Sequence, residues 1–175
     1  LLKAAEQAMR NAGIRWEQIR SIGLANQGET CLMWDRYTGE PVYPAIVWQD
    51  RRTSTAADAL AQQHREDIQQ RTGLIVDGYF SATKLQWIMD NVPQVREKIE
   101  KGQLLAGTLD SWLVWKLTGG ALHVTDCATA SRPMLFNIHE KRWDTVLLDL
   151  LGVPGEILPQ VRECAGDFGT TLPRY

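Results

Sequence analysis

The sequence predicts an α/β domain, because short apolar runs suited to strands are separated by longer helical segments. The composition agrees, since 44% of the 175 residues are hydrophobic and 23% are charged, which is typical of a globular protein. A chain of this length buries roughly 70% of its unfolded surface, so it can form a core without disulfides or metals. We therefore expect one globular unit in which helices pack against a few strands.

The first half of the chain is predicted to hold one helix, two strand segments and a hairpin-like return. The helix covers residues 1–12, where apolar residues recur every three or four positions, and it ends at Gly13. Residues 21–25 form a short apolar run typical of a buried strand, and residues 30–35 form a second extended run. Turn residues then lead into residues 42–48, which are predicted to return as a strand or an extended segment.

The chain from residue 52 onward is predicted to be mostly helical. Residues 52–70, which are rich in alanine and glutamine, are predicted to form one or two helices, with Thr53 or Ser54 as the candidate N-cap and Gly73 as the stop. The later predicted elements are a helix over 82–91 capped by Ser81, a helix over 94–101 with Pro93 in its first turn, a strand over 104–108, and helices over 110–117 and 144–151.

The charge pattern argues against a protein that binds nucleic acid or a membrane surface through electrostatics. The chain has 19 Lys and Arg against 21 Asp and Glu, a net charge of −2, and no long run of like charge. No apolar run reaches the length of a membrane span. The three cysteines lie far apart and the three histidines lack metal-ligand spacing, so no disulfide framework or metal site is predicted, and a reducing, cytoplasmic setting is expected.

Four stretches carry a family resemblance. Residues 79–91, which read Tyr-Phe-Ser-Ala-Thr-Lys-Leu-Gln-Trp-Ile-Met-Asp-Asn, match throughout the first signature of the FGGY carbohydrate kinases. Residues 45–53, 107–120 and 123–139 resemble the glycerol kinase branch of that family. The resemblance extends over residues 21–171, in order and almost without gaps.

This resemblance implies an actin-like, ribonuclease H-like domain of a two-domain sugar kinase, incomplete at its N-terminus. Residues 1–175 are then expected to be a partial N-terminal, substrate-binding domain without the first strands, their phosphate loop and the whole C-terminal ATP-binding domain. The implied reaction transfers the γ-phosphoryl group of MgATP to a hydroxyl of glycerol or a related polyol. ATP and Mg²⁺ are expected to bind mainly outside this stretch, which is therefore expected to be inactive by itself.

The same resemblance implies a polyol or sugar and ATP as partners, with no nucleic acid and no membrane. It does not decide whether the full-length enzyme forms a homo-oligomer. No catalytic residue is expected in this stretch, because the family's aspartate base lies downstream of it.

Glu29 is the first candidate for substrate contact. A carboxylate at the end of a buried strand can accept hydrogen bonds from two polyol hydroxyls, and glycerol kinases hold their substrate with the matching Glu. Gly28 departs from the resemblance, because most glycerol kinases have Gln-Arg-Glu where this chain has Gln27-Gly28-Glu29. Either another residue supplies that donor, or the substrate is a different and longer one, or Gly28 only makes a tight turn with positive φ.

Two aromatic residues complete the predicted site. Trp48 and Tyr79 match residues that line the glycerol pocket of the family, where a ring packs on the C–H face of the polyol and a phenol bonds a hydroxyl. Gln27 is predicted to orient Glu29 or to reach the substrate. The signature helix, with Lys84, is predicted to be architectural rather than catalytic.

Three functions remain open at this point. The leading one is the substrate-binding half of an ATP-dependent kinase for glycerol or a related polyol. The second is an FGGY kinase for a tetritol, a pentitol or a ketose. The third is a non-catalytic, actin-like binding module that has kept the pocket.

Overall fold

The computed structural model describes residues 2–173 of the chain. In chain order its helices and strands are α1 (Leu2–Ala12), β1 (Cys31–Asp35), α2 (Ser54–Thr72), α3 (Ser81–Asn91), α4 (Val95–Glu100), β2 (Leu104–Thr108), α5 (Leu109–Leu117), β3 (Val124–Asp126), α6 (Cys127–Ala130), β4 (Phe136–Asn137), β5 (Arg142–Trp143), α7 (Thr145–Leu151) and β6 (Gln160–Arg162). The prediction of an α/β domain is confirmed. None of the helices in this range has the length and apolarity needed to span a bilayer.

The described strands pair in three two-stranded sheets. β1 and β2 are antiparallel, with Met33 opposite Ala106, and β4 and β5 are also antiparallel. β3 and β6 are parallel, with Thr125 opposite Val161. β2 is buried along its whole length and β1 along all but its last residue, so both are continuous apolar runs rather than alternating ones.

The two faces of β1 serve two different hydrophobic clusters, because successive side chains of a strand point to opposite sides. Cys31 and Met33 pack into the large core with helices α3, α4 and α7. Leu32 and Trp34 pack on the other side, where they meet Trp115 of α5. This double burial holds the start of β1 rigidly, and the candidate site lies immediately before that start.

Glycines stop the helices where the sequence predicts. Gly13 and Gly73 both have a positive φ, which ends α1 and α2 in the left-handed region that glycine tolerates. Residue 1 of the predicted first helix lies outside the described residues. Pro93 is in the turn before α4 rather than in its first turn, because Gln94 has a φ of 65° and delays the start of the helix to Val95.

The predicted strand over residues 21–25 is wrong. Within the described part of the chain, no backbone hydrogen bond links these residues to a neighbouring strand, and Ile22 is 51% exposed. An apolar run becomes a strand only where a neighbour completes its backbone hydrogen bonds. The predicted return over residues 42–48 does not form a strand: it contains bends at residues 42 and 43 and enters a turn at residue 48. Strand β1 meets this part of the chain through isolated bridges at Pro41 and Ile46.

None of the hydroxyls predicted to cap α2 and α3 makes a cap bond. Thr53 is the N-cap residue of α2, but its oxygen makes no cap bond and accepts a hydrogen bond from the hydroxyl of Thr83 at 2.9 Å. The hydroxyl of Ser54 makes no hydrogen bond within residues 2–173. Ser81 is the first residue of α3, and its hydroxyl donates to the backbone carbonyl of Glu29 at 3.0 Å. A distant partner thus replaces a local cap and fixes the backbone of Glu29.

Candidate functional site

An open cleft of about 460 Å³ lies where distant stretches of the chain meet. Its lining comes from residues 26–29, from the loops before α2 and α3, and from residues 128–132. The structure brings together in this cleft all the residues predicted to bind substrate, which are Gln27, Gly28, Glu29, Trp48 and Tyr79. Their role as ligands remains a prediction.

Glu29 is a buried carboxylate with a single charged partner among the described residues. It is 7% exposed and lies in the turn before β1, not at the end of a strand as the sequence predicts, because residues 21–25 pair with nothing. Its Oε1 accepts a hydrogen bond from Nε of Arg132 at 2.6 Å. A buried carboxylate needs such a partner, since an unpaired charge out of water carries a large desolvation cost. Glu29 is therefore fixed beside a guanidinium group that donates to it.

Gly28 is required for space and not for backbone conformation. Its φ is not positive, so the prediction of a tight turn with positive φ is wrong. A Cβ at position 28 would lie 2.9 Å from Cγ and 3.4 Å from Cβ of Arg132. A side chain at position 28 would thus point at the root of the Arg132 side chain.

Arg132 is the lining residue that sequence reasoning missed. Its guanidinium carbon lies 5.2 Å from the ring centre of Phe80, a cation–π distance, and 37% of the side chain remains exposed. The residue lies within the 123–139 stretch that resembles glycerol kinases, which was the available signal. Nothing in the spacing of the chain placed it beside Glu29, 103 residues away.

Trp48 and Tyr79 form the aromatic side of the cleft. Their ring centres are 5.6 Å apart at an interplanar angle of 58°, and Tyr79 also meets Phe80 edge-on at 5.1 Å. The backbone N–H of Tyr79 donates to the carboxylate of Asp77 at 2.7 Å, which holds the loop in place. Both rings are only partly buried, so apolar ring surface remains for a ligand.

A buried lysine lies behind these two rings. Lys84 is completely buried, and its Nζ donates to the carbonyl oxygens of Tyr79 at 2.7 Å, Val47 at 3.0 Å and Trp48 at 3.4 Å. Burial lowers the pKa of Lys84 below its ordinary value. The three carbonyls match the three protons of an ammonium group, so Lys84 joins the loops that carry the aromatic residues.

A second, larger groove of about 650 Å³ adjoins the cleft and shares Asn26 and Thr129 with it. The carboxylate of Asp110 in this groove accepts hydrogen bonds from Asn26 at 3.0 Å and from the hydroxyls of Thr108 and Thr125 at 2.6 Å each. Both of its oxygens are therefore committed to groups of the protein. The smaller cleft is the better candidate site, because all the residues predicted to bind substrate line it.

The described residues do not fit a resident Mg²⁺ ion. No group of three or more His, Cys, Asp or Glu side chains among residues 2–173 could hold a metal. Glu29 is the one carboxylate that lines the described cleft, and it is paired with Arg132. Mg²⁺ prefers several oxygen ligands. What the cleft offers is a hydroxyl acceptor, a guanidinium donor and aromatic surface.

The comparisons with known proteins identify the family of this chain. Residues 1–175 match the profile of the N-terminal domain of the FGGY family of carbohydrate kinases. The chain belongs to this family. It is 53% identical over 173 residues, or 98% of this FGGY chain, to a glycerol kinase of Alcanivorax borkumensis. It is 52% identical over 171 residues, or 97% of the chain, to glycerol kinase 2 of Thermotoga maritima. It spans about a third of the length of these curated relatives, 35% and 34%.

Solved structures show the same FGGY fold. A glycerol kinase of Plasmodium falciparum, solved with ADP, superposes with a TM-score of 0.85 at 35% identity, over 89% of this chain and 31% of that one. A xylulose kinase from Rhodospirillum rubrum superposes with a TM-score of 0.75 at 20% identity, over 91% of this chain and 32% of that one, and shows the fold alone. The predicted fold, an α/β domain of a sugar kinase, is confirmed.

Proposed function

We propose that this chain is the acceptor-binding part of an ATP-dependent kinase that transfers the γ-phosphoryl group of ATP to a hydroxyl of glycerol or a related polyol. The observation that carries the proposal is the convergence of Glu29, Trp48 and Tyr79 on one cleft. The relatives above, which are named glycerol kinases and are more than half identical to this chain, support the substrate class.

The cleft residues would bind and orient the acceptor. Glu29 accepts hydrogen bonds from hydroxyls, and the rings of Trp48 and Tyr79 cover the C–H face of the carbon chain. Phosphoryl transfer depends mainly on the positioning of the attacking oxygen, so a fixed carboxylate and a rigid aromatic wall contribute directly to rate. ATP supplies the phosphoryl group, and we propose that ATP and Mg²⁺ bind mainly to parts of a longer protein outside this chain.

The size of the acceptor is part of the proposal. We propose glycerol or another small polyol rather than a tetritol, a pentitol or a ketose, supported by the glycerol kinases that are more than half identical to this chain. A cytoplasmic setting is proposed with it, supported by three cysteines that are all free thiols.

An acceptor panel tests the proposed function. The full-length protein that contains this chain is assayed for ADP release with glycerol, a tetritol, pentitols and ketoses, and glycerol is expected to give the highest kcat/KM. A ketose or a longer polyol as the best acceptor would overturn the proposed substrate. No turnover with any acceptor would overturn the proposed kinase function in favour of the non-catalytic binding module. The 175-residue chain assayed alone is expected to phosphorylate nothing, because nucleotide positioning is absent.

A further inference from the structure

Arg132 and Glu29 form an ion pair at the cleft in which each partner keeps unused hydrogen-bonding capacity. Nε of Arg132 is used, because it donates to Oε1 of Glu29 at 2.6 Å. Within residues 2–173, neither Nη1 nor Nη2 of Arg132 donates to another protein group, and Oε2 of Glu29 accepts from none. Free donors and a free acceptor are thus held side by side at the edge of the cleft.

The guanidinium is held in place from two sides. The ion pair to Glu29 fixes Nε, and the ring of Phe80 lies 5.2 Å from the guanidinium carbon. An arginine whose plane is fixed in this way loses less side-chain freedom when it binds a ligand, which favours binding.

Gly28 is what lets the arginine reach this position. The backbone of Gly28 passes so close to Arg132 that a Cβ there would lie 2.9 Å from its Cγ, a distance that real Cβ atoms essentially never show. Cγ is near the root of the side chain, so it cannot yield without moving the guanidinium. A Cβ at position 28 would therefore force a shift near the root of the Arg132 side chain, and we expect that shift to disturb its contact with Glu29.

We propose that Arg132 is an acceptor-binding residue. The role of Gly28 in this proposal is to leave space for the Arg132 side chain, because glycine has no Cβ. A free Nη of Arg132 donates to one hydroxyl of the acceptor, while an adjacent hydroxyl donates to Oε2 of Glu29. The ligand class is a polyol with two adjacent hydroxyls, since a hydroxyl both accepts and donates and the two protein groups lie next to each other. This inference rests on the proposed function and names a determinant of its specificity.

A purely structural role for Arg132 makes different predictions. If the guanidinium only neutralised the buried Glu29, its removal would harm every acceptor equally and would also lower the melting temperature. If it binds a hydroxyl, the harm depends on whether the acceptor carries that hydroxyl. Acceptor analogues therefore separate the two roles.

The test combines an Arg132→Ala variant of the full-length protein with the best acceptor and its monodeoxy analogues. Arg132→Ala is expected to raise the KM for the best acceptor about tenfold to a hundredfold, the value of a charge-assisted hydrogen bond, and to leave the KM for ATP unchanged. For at least one analogue, the variant and the wild type should perform alike. An equal loss with every acceptor would overturn the proposal. Arg96→Ala, which removes an exposed ion pair to Asp90, is the control and should change nothing.

A double-mutant cycle tests the part played by Gly28. Gly28→Ala adds one methyl group against Cγ of Arg132 and is expected to raise the acceptor KM about as much as Arg132→Ala does. In the Arg132→Ala background, which has no Cγ, the same change at Gly28 should add little. Additive losses would overturn the coupling between the two residues.

Calorimetric titration of the acceptors in the absence of ATP separates the two proposals. An adjacent diol that binds to the wild type, binds weakly to Arg132→Ala and is never phosphorylated would overturn the proposed function and keep the role of Arg132. Phosphorylation that does not depend on Arg132 would support the proposed function and overturn the role of Arg132. If Arg132→Ala does not fold, Arg132→Lys retains the charge beside Glu29 without the planar fork and is expected to show the same selective loss.

Discussion

The ammonium group of Lys84 lies 2.7 Å from the carbonyl oxygen of Tyr79 and 3.4 Å from that of Trp48, so one buried cation holds the backbone of both aromatic residues of the cleft. A residue of the signature helix thus shapes the site without touching it. The same ammonium also holds the carbonyl of Val47 at 3.0 Å. Rigid aromatic walls need backbone support of this kind, because loops are otherwise mobile.

Lys84→Met keeps most of the side-chain volume and removes the three donors. The free energy of unfolding is expected to fall by about 2–5 kcal/mol, because carbonyls that lose a donor inside the protein retain their desolvation cost. The acceptor KM of the full-length enzyme should rise as well, since the loops of Trp48 and Tyr79 lose their shared anchor. Denaturant unfolding and steady-state kinetics measure the two effects. Lys101→Met, at an exposed lysine, is the control, and equal effects in both variants would contradict the prediction.

Glu29→Gln in the proposed full-length kinase is expected to lower kcat/KM for the acceptor about tenfold to a hundredfold and to leave the KM for ATP nearly unchanged. The amide is a weaker acceptor than the carboxylate, and it loses the ion pair with Arg132. Initial rates with each substrate varied in turn make the comparison. Glu97→Gln, at an exposed glutamate, should alter neither constant. If both constants moved together, the role of Glu29 would be structural.

His123 predicts a loss of stability in mild acid. Burial lowers its pKa from 6.5 to about 4, and the charge of Arg36 adds to the effect, while Nε2 donates to the carbonyl of Ala106 at 3.0 Å. The unfolded chain protonates His123 more readily than the folded chain does. The contribution of His123 to the free energy of unfolding is therefore fully present above about pH 6.5 and is lost as the pH falls towards 4. The contribution is about 2–3 kcal/mol.

His123→Gln is expected to flatten that part of the stability profile. Unfolding by denaturant at several pH values between 7 and 4.5 measures the slope for the wild type and the variant. His139→Gln, at an exposed histidine, is the control and should retain the slope of the wild type. Identical slopes in all three proteins would show that His123 is not the titrating group.

Asp144 is expected to be the most sensitive helix cap of the domain. Its Oδ1 accepts the backbone N–H groups of Val146 and Leu147 at the start of α7, and its Oδ2 accepts from Asn137 at 2.8 Å and Arg71 at 3.1 Å. Burial alone would raise the pKa of Asp144, but these hydrogen bonds hold it below its ordinary value. Asp144→Ala should lower the free energy of unfolding by about 2–4 kcal/mol.

Asp67→Ala provides the comparison for Asp144. Asp67 also pairs with Arg71, but 45% of its side chain is exposed, so its loss should hardly change the free energy of unfolding. Urea unfolding of both variants gives the two values. A loss at Asp67 as large as that at Asp144 would mean that the ion pair, rather than the cap and the burial, carries the effect.

Local patterns predicted much of the fold, and distant contacts explain what they missed. The strands β1 and β2 and the stop of α2 at Gly73 follow from apolar runs and turn chemistry that act over a few residues. Residues 21–25 have the right composition for a strand, but strand formation depends on a neighbour elsewhere in the chain. Thr53 and Ser81 are good cap residues by type, yet each bonds a residue 30 or more positions away.

The candidate site shows the same division. Glu29, Trp48 and Tyr79 could be named from family motifs, because each motif is a short run of letters. Arg132 could not be assigned to the cleft in this way, since its position depends on the path of the chain across 103 residues and on the missing Cβ of Gly28. Only the folded geometry shows that Gly28, which departs from the family pattern, lies against Arg132.

The long sequence separation between Glu29 and Arg132 links ligand occupancy to the cooperativity of the whole domain. The chain between the two residues contains β1, α2, α3, β2 and α5. A diol that bound to both residues would favour every form in which they lie side by side over any form in which one of them is displaced. Saturation with such a diol should therefore slow amide hydrogen exchange in helices that never contact it.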